Sequence, residues 1–355
     1  MKQLKVGAVD DLSQLEREMD QHLKNNETKA AVQALYQLIV EYAKRREFEK
    51  AESLREKLIA VDSMALSEIV TTAEIIEEEK NRSKPKDHLK TWENLYGMLT
   101  REESNALYYS LKDGEGLGTD TLFRQGGRNS NLYFLNEGQL ILLCNQGGKE
   151  VALKMVRPGE IAGEDTFFYD SLCTATLRTF THARFNYLER DVLAKWKDSF
   201  PALEGKLRDY CARLEKVNDL LERKGLDRRS EKRYGLPGRG VIQVINQEGV
   251  PVSSAFKGEL ADISANGCCF YVKLSRKETA RLLLGRRLIL KFVVSVGKYK
   301  LQIQQAALVV AVRAHPFDDY TVHVKFDKRL QNQLIENLAG LAEMAANQTR
   351  SVTLH

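Results

Sequence analysis

Apolar positions recur at helical spacing through the first 84 residues. Leu12, Leu15, Met19 and Leu23 define one helix. The polar run Asn25-Asn26-Glu27-Thr28 offers capping residues for a second, with Leu35, Leu38, Ile39 and Tyr42 on one face. A turn near Arg45-Arg46-Glu47 leads to a third helix carrying Phe48, Ala51, Leu54 and Leu58, and a fourth is expected from Asp62 to Lys80. The proline-containing run 81–87 reads as a linker. Two short helices are expected beyond it, around Trp92–Met98 and Arg101–Lys112, with Thr100 and Glu103 spaced as a capping box.

The period then changes. Between about 120 and 190, short runs such as Leu132–Leu135, Gln139–Leu143, Val151–Met155 and Ala183–Tyr187 alternate with glycine turns, the pattern of a sandwich or jelly roll. From 201 to 224, Leu203, Leu207, Tyr210, Leu214, Val217 and Leu221 fall into an a/d heptad seam. So narrow a stripe predicts a long connecting helix that pairs with a second copy, giving a homo-oligomer, most simply a dimer, through 201–224. Strands resume at Val241–Ile245, Cys268–Val272, Leu288–Val294, Ala306–Val312 and Thr321–Phe326, and Leu330, Leu334, Leu338 and Leu341 mark a closing helix. The implied fold class is multidomain α+β. The expected domains are a helical region (1–84), a β-rich domain with flanking helices (85–200), a heptad helix (201–227) and a second β-rich domain (228–355).

Composition narrows the function. At 43% hydrophobic and 29% charged residues the chain is ordinary globular protein. A net charge of +5 suits an anionic ligand but, with both signs mixed along the sequence, gives no nucleic-acid face, so no direct DNA binding is expected. The cysteines Cys144, Cys173, Cys211, Cys268 and Cys269 are odd in number and unpaired in spacing, which predicts reduced thiols in a cytoplasmic protein. No histidine spacing suggests a metal, and no apolar run reaches the length of a membrane span. No P-loop or nucleotide-turnover motif is present, so the expectation is a receptor with no catalytic residues and no cofactor.

The runs Thr121-Leu-Phe-Arg-Gln-Gly126, Leu132-Tyr-Phe-Leu-Asn-Glu-Gly138 and Pro158-Gly-Glu-Ile-Ala-Gly-Glu164 resemble the cyclic nucleotide-binding domain family over about 95–200. The resemblance implies a jelly roll in which Gly163 and Glu164 contact ribose and cyclic phosphate. It also implies an arginine followed by a hydroxyl residue to grip the phosphate. Thr174 matches the hydroxyl, but Cys173 stands at the arginine position. A neutral thiol cannot replace a guanidinium, and losing such a contact costs roughly 2–5 kcal/mol. The pocket of Gly163, Glu164, Cys173 and Thr174 is therefore expected to be degenerate. The first hairpin around Tyr42, Phe48 and Ala51 weakly resembles one tetratricopeptide repeat, and these helices are the expected surface for a protein partner.

Two further motifs lie downstream. Arg229 and Arg233 form R-x-x-x-R, and Asp262, Ser264 and Gly267 form D-x-S-x-x-G about thirty residues later. In this order, ahead of strands closed by a helix, they resemble the PilZ family, which implies a β-barrel and cyclic di-GMP as ligand. The chemistry fits that ligand. Two guanidiniums four residues apart can fork onto phosphate oxygens and guanine edges. A carboxylate can accept from guanine N–H donors, Ser264 supplies a hydroxyl, and Gly267 is expected to permit a turn with positive φ. Arg228, Lys232 and Arg239 add positive charge. One or two ligand molecules are both compatible with this set. The alternatives are a jelly-roll transcriptional regulator and a dual sensor that also binds cAMP or cGMP; the first lacks a recognition helix.

Overall fold

The computed structural model describes residues 6–226, 231–274, 277–296, 298–315 and 319–352. The chain divides into two compact units, one made of 1–111 with 192–210, the other of 112–191 with 211–355.

The first unit is helical. It contains α1 (Val6–Lys24), α2 (Thr28–Lys44), α3 (Phe48–Val61), α4 (Leu66–Ser83), α5 (Lys86–Thr91), α6 (Glu93–Tyr96), α7 (Arg101–Ser110), α9 (Val192–Ser199) and most of α10 (Leu203–Ala212). The α1–α2 and α2–α3 turns are the same device twenty residues apart. Asn26 and Arg46 adopt left-handed φ of 57° and 63°. Glu27 and Glu47 each return a backbone N–H to the carbonyl five residues earlier, which satisfies the orphan carbonyls of the preceding helix. Leu35, Leu38, Ile39, Tyr42, Ala51, Leu58 and Ile76 form the core between these helices. The capping box on α7 is present: the Glu103 N–H donates to Thr100 Oγ1 (3.2 Å) and the Thr100 N–H to Glu103 Oε2 (2.8 Å).

The second unit holds two β structures. The first is a sandwich of two four-stranded antiparallel sheets, with orders β1-β9-β3-β6 and β2-β8-β4-β5. Its strands are β1 (Lys112–Leu117), β2 (Thr121–Phe123), β3 (Asn131–Glu137), β4 (Leu140–Gln146), β5 (Lys149–Val156), β6 (Ile161–Ala162), β8 (Thr176–Thr179) and β9 (His182–Glu189). The short helix α8 (Glu164–Phe167) follows β6.

The second is a barrel. Its strands are β10 (Gly238–Ile245), β11 (Phe256–Ser264), β12 (Gly267–Lys273), β13 (Arg287–Val296), β14 (Tyr299–Ala314) and β15 (Asp319–Phe326). They run β13-β10-β11-β12-β15-β14, and β14 pairs back onto β13 to close the ring. Ile242, Leu260, Ile263, Phe270, Phe292, Val322 and Val324 fill the interior, with Ala280 and Leu283 of α12 (Lys277–Leu283) and Leu338 and Leu341 of α13 (Asn332–Val352). A two-residue strand, β7 (Asp170–Ser171), leaves the sandwich and pairs with β14.

The expected continuous helix over 201–224 is interrupted. α10 ends at Ala212, and α11 (Val217–Arg223) begins after a break at Arg213–Lys216, with Lys216 extended. Most of the seam is buried within the chain, with Tyr210 and Leu214 half-buried. Leu203 and Leu207 are fully buried, and Val217, Leu220 and Leu221 sit in the sandwich core with Leu142, Val156, Ala162 and Ala175. Leu203, Leu207, Val217 and Leu221 are thus buried within one chain.

Candidate ligand-binding site

The chain entering the barrel runs antiparallel to the end of β11. Tyr234 N–H donates to the Ile263 carbonyl (2.8 Å), and Ile263 N–H donates back to Tyr234 (3.0 Å). A bulge between Leu260 and Asp262 breaks the strict alternation of β11. Leu260 and Ile263 consequently both enter the core, and Asp262 and Ser264 point to the opposite side, with Ser264 itself buried. Arg233 thereby lies over Asp262, donating from Nη1 to Oδ1 (3.0 Å) and Oδ2 (3.3 Å). Both side chains keep access to solvent, at 52% and 30% exposure. Glu231 further holds this arm through Arg329 (3.0 Å).

An ion pair this exposed contributes only about 0–1 kcal/mol. It orients Arg233 and can be exchanged for a stronger acceptor such as a phosphate at little cost.

Ser264 Oγ donates to the Gly267 carbonyl (3.2 Å), which shapes the turn. Gly267 does not take a positive φ, contrary to the sequence expectation. A Cβ there would lie 2.2 Å from the Val324 carbonyl oxygen, so the glycine is required by close approach of β15. Arg228 and Arg229 lie outside the described residues, so the structure brings together Arg233, Asp262, Ser264 and Gly267 from the sequence set. It adds neighbours that sequence reasoning missed. Cys269 is paired with Asp262, and His323 with Cys269; Cys269 Sγ and His323 Nε2 are 3.8 Å apart. Burial pushes the Cys269 thiol up to about 11, Asp262 adds to the rise, and Arg233 and Arg313 oppose it. Arg313, exposed on β14, is thus a further cation near the site. Only strand pairing brings Cys269, His323 and Arg313 to this face, and no local motif marks them.

The sandwich pocket contrasts with this site. Gly163, at φ 97°, starts α8, and a Cβ there would meet the Asn131 carbonyl at 2.7 Å. Glu164, Asp165, Glu215, Cys173 and Thr174 line the cavity, and Lys154 is the one cation among the described lining residues. Lys154 is itself held by Glu160 (2.8 Å). Burial raises the Glu164 carboxyl to about 7 and the Cys173 thiol to about 11. Arg178 pairs with Glu150 (2.8 Å) and is not among the lining residues. Leu214, Val217 and Leu220 enter the cavity and leave about 40 Å³, against the roughly 300–1,000 Å³ of small-molecule sites. The pocket is thus narrowed by apolar side chains and lined by the carboxyl groups of Glu164, Asp165 and Glu215.

Comparison with known proteins agrees with both halves. Residues 118–199 match the cyclic nucleotide-binding domain family and residues 227–343 match the PilZ domain family. The chain therefore carries a cyclic nucleotide-binding domain followed by a PilZ domain. Among solved structures, it is similar to the N-terminal domain of a transcriptional regulator from Streptomyces coelicolor A3(2). That match has 32% identity over 35% of this chain and 91% of that one, with a TM-score of 0.31. A regulatory subunit of a cAMP-independent protein kinase A from Trypanosoma cruzi, bound to guanosine, matches at 16% identity over 42% of this chain, with a TM-score of 0.34; the match spans 52% of that protein. The sensor domain of the transcriptional regulator DNR from Pseudomonas aeruginosa matches at 20% identity over 37% of this chain and 95% of that one, with a TM-score of 0.30. No curated protein matches the chain. Among the described residues, no helix is long and apolar enough to cross a membrane.

Proposed function

We propose that this protein is a cytoplasmic, non-catalytic receptor for cyclic di-GMP, bound at the barrel by Arg233, Asp262, Ser264 and Gly267 together with Arg229 and Arg228 of the preceding arm. The reading rests above all on Arg233 being held over Asp262 on the solvent-facing side of β11. The guanidinium can transfer from the carboxylate to a phosphate or a guanine edge, leaving Asp262 to accept from guanine N–H groups. The arginines follow α11 in the sequence, so ligand held there acts at the connection between the sandwich and the barrel. The output is a change in domain arrangement read by a protein partner, for which the N-terminal helices are the proposed surface. The sandwich pocket is not a cAMP or cGMP site in this reading, because Cys173, three carboxylates and α11 occupy the place of a phosphate clamp.

Isothermal calorimetry tests the proposal. The wild-type chain binds cyclic di-GMP at micromolar or better affinity, and Arg233→Ala weakens binding about tenfold or more, the loss of one charge-assisted contact. Absence of heat, with no competition by unlabelled ligand in a filter assay, rejects it.

A further inference from the structure

The sandwich contributes a strand to the barrel, and that strand comes from the wall of the sandwich pocket. β7 lies between Glu164–Thr166 and Cys173–Thr174, both of which line the pocket. On the barrel side, β13 stops pairing with β14 at Leu308. Val309 is still bonded by Gly285 and Arg286, and beyond it β14 would present an open edge. The sandwich covers it: Leu172 N–H donates to the Val310 carbonyl (2.8 Å), Ser171 pairs with Ala311, and Asp170 pairs with Val312. Val310 is the residue at which β14 shifts register against β15, so the bulge carbonyl is the one the sandwich uses.

Charges lock the same joint. Asp170 receives Arg281 of the barrel (3.0 Å) and Arg190 of the sandwich (2.6 Å). Arg190 also donates to the carbonyls of Thr166, at the end of α8, and Tyr169. Ser171 Oγ donates to the Asp165 carbonyl (3.0 Å), and Arg128 of the sandwich donates to the Leu284 carbonyl of the barrel. The pocket helix α8 is thus tied to the barrel through Arg190, Asp170 and Arg281.

The register of the barrel then carries this joint to the ligand site. One transverse row runs Ser171, Ala311, His323, Cys269, Asp262. At about 4.8 Å per strand, Ser171, two residues before the pocket-lining Cys173, and Asp262 stand at the two ends of a row roughly 20 Å long.

We infer that the β7–β14 joint couples the barrel site to the sandwich, so that a ligand held at Asp262 and Arg233 stabilises the joint and with it the pocket wall from Glu164 to Cys173. This inference rests on the cyclic di-GMP reading above and assigns the sandwich a role in it: a transducing wall that responds to the barrel, with no nucleotide of its own. Coupling of this kind is reciprocal, so whatever breaks the joint must also weaken ligand binding by the same factor.

The test uses the full chain and cyclic di-GMP. Arg281 is half-exposed, so Arg281→Glu opposes Asp170 with a like charge and leaves the cores intact, which a thermal melt checks. Arg281→Lys retains the charge. Hydrogen exchange is followed over residues 164–173, and affinity by calorimetry. In the wild type, ligand slows exchange across 164–173 at least fivefold. In Arg281→Glu that slowing is lost and affinity falls about fivefold or more, whereas Arg281→Lys recovers most of both. Binding with no change in exchange at 164–173 overturns the coupling and leaves the receptor reading standing. Equal slowing in wild type and Arg281→Glu overturns the joint as the route. Failure of the wild type to bind at all overturns the receptor reading and the coupling together.

Discussion

At the scale of single residues, the two pockets differ in what each has done with charge. Arg233 and Asp262 form a weak, exposed pair that a dianion can open. Glu164 is half-buried in the pocket, and its proton is the cheaper way to keep it there. Because its folded pKa of about 7 exceeds the unfolded 4.5, the folded protein holds more protons between these values. Stability conferred by this group is therefore full near pH 4.5, falls as pH rises toward 7, and is level above. Glu164→Gln removes that slope. Melting curves of variant and wild type should converge near pH 4.5, with the variant more stable at pH 8 by about 1–3 kcal/mol. Gly267 makes a different demand. Gly267→Ala must push β15 away from a 2.2 Å clash with the Val324 backbone. Such overpacking costs roughly 1–3 kcal/mol, and a fall in melting temperature of about 2–10 °C is expected by calorimetry.

At the scale of elements, the sequence reads well where period is strict and fails where a bulge or a partner changes it. The four N-terminal helices, the capping box on α7 and the alternation of β15 follow directly from spacing. β11 is not among the strands expected from alternation, because the bulge after Leu260 shifts its in-out pattern halfway along. The heptad seam misleads in the opposite way. Its spacing is real, but Val217 and Leu221 are apolar because they fill the sandwich, as α11 docks there. Leu221→Glu should then lower the melting temperature steeply, since a carboxylate would replace a side chain only 2% exposed, while the mass by light scattering stays unchanged. A loss of mass without loss of stability would instead restore the paired-helix expectation.

At the scale of the whole molecule, the cyclic nucleotide-binding and PilZ families were both legible from short motifs: Gly163-Glu164 with its glycine turns, and the arginine pair with Asp262-x-Ser264-x-x-Gly267. The neutral thiol at the expected arginine position was legible too, since Cys173 and Thr174 follow the Gly163-Glu164 step in the sequence and both line the pocket. These features are local, set within a few residues by chirality, hydrogen-bonding capacity and charge, and the sequence by itself determines them. Tertiary structure alone decided what those segments touch. It placed α11 in the pocket, brought Cys269 and His323 beside Asp262, and laid β7 on the open edge of β14. Each of these contacts joins residues far apart in the chain, and each depends on strand register and shared burial, which no local pattern encodes.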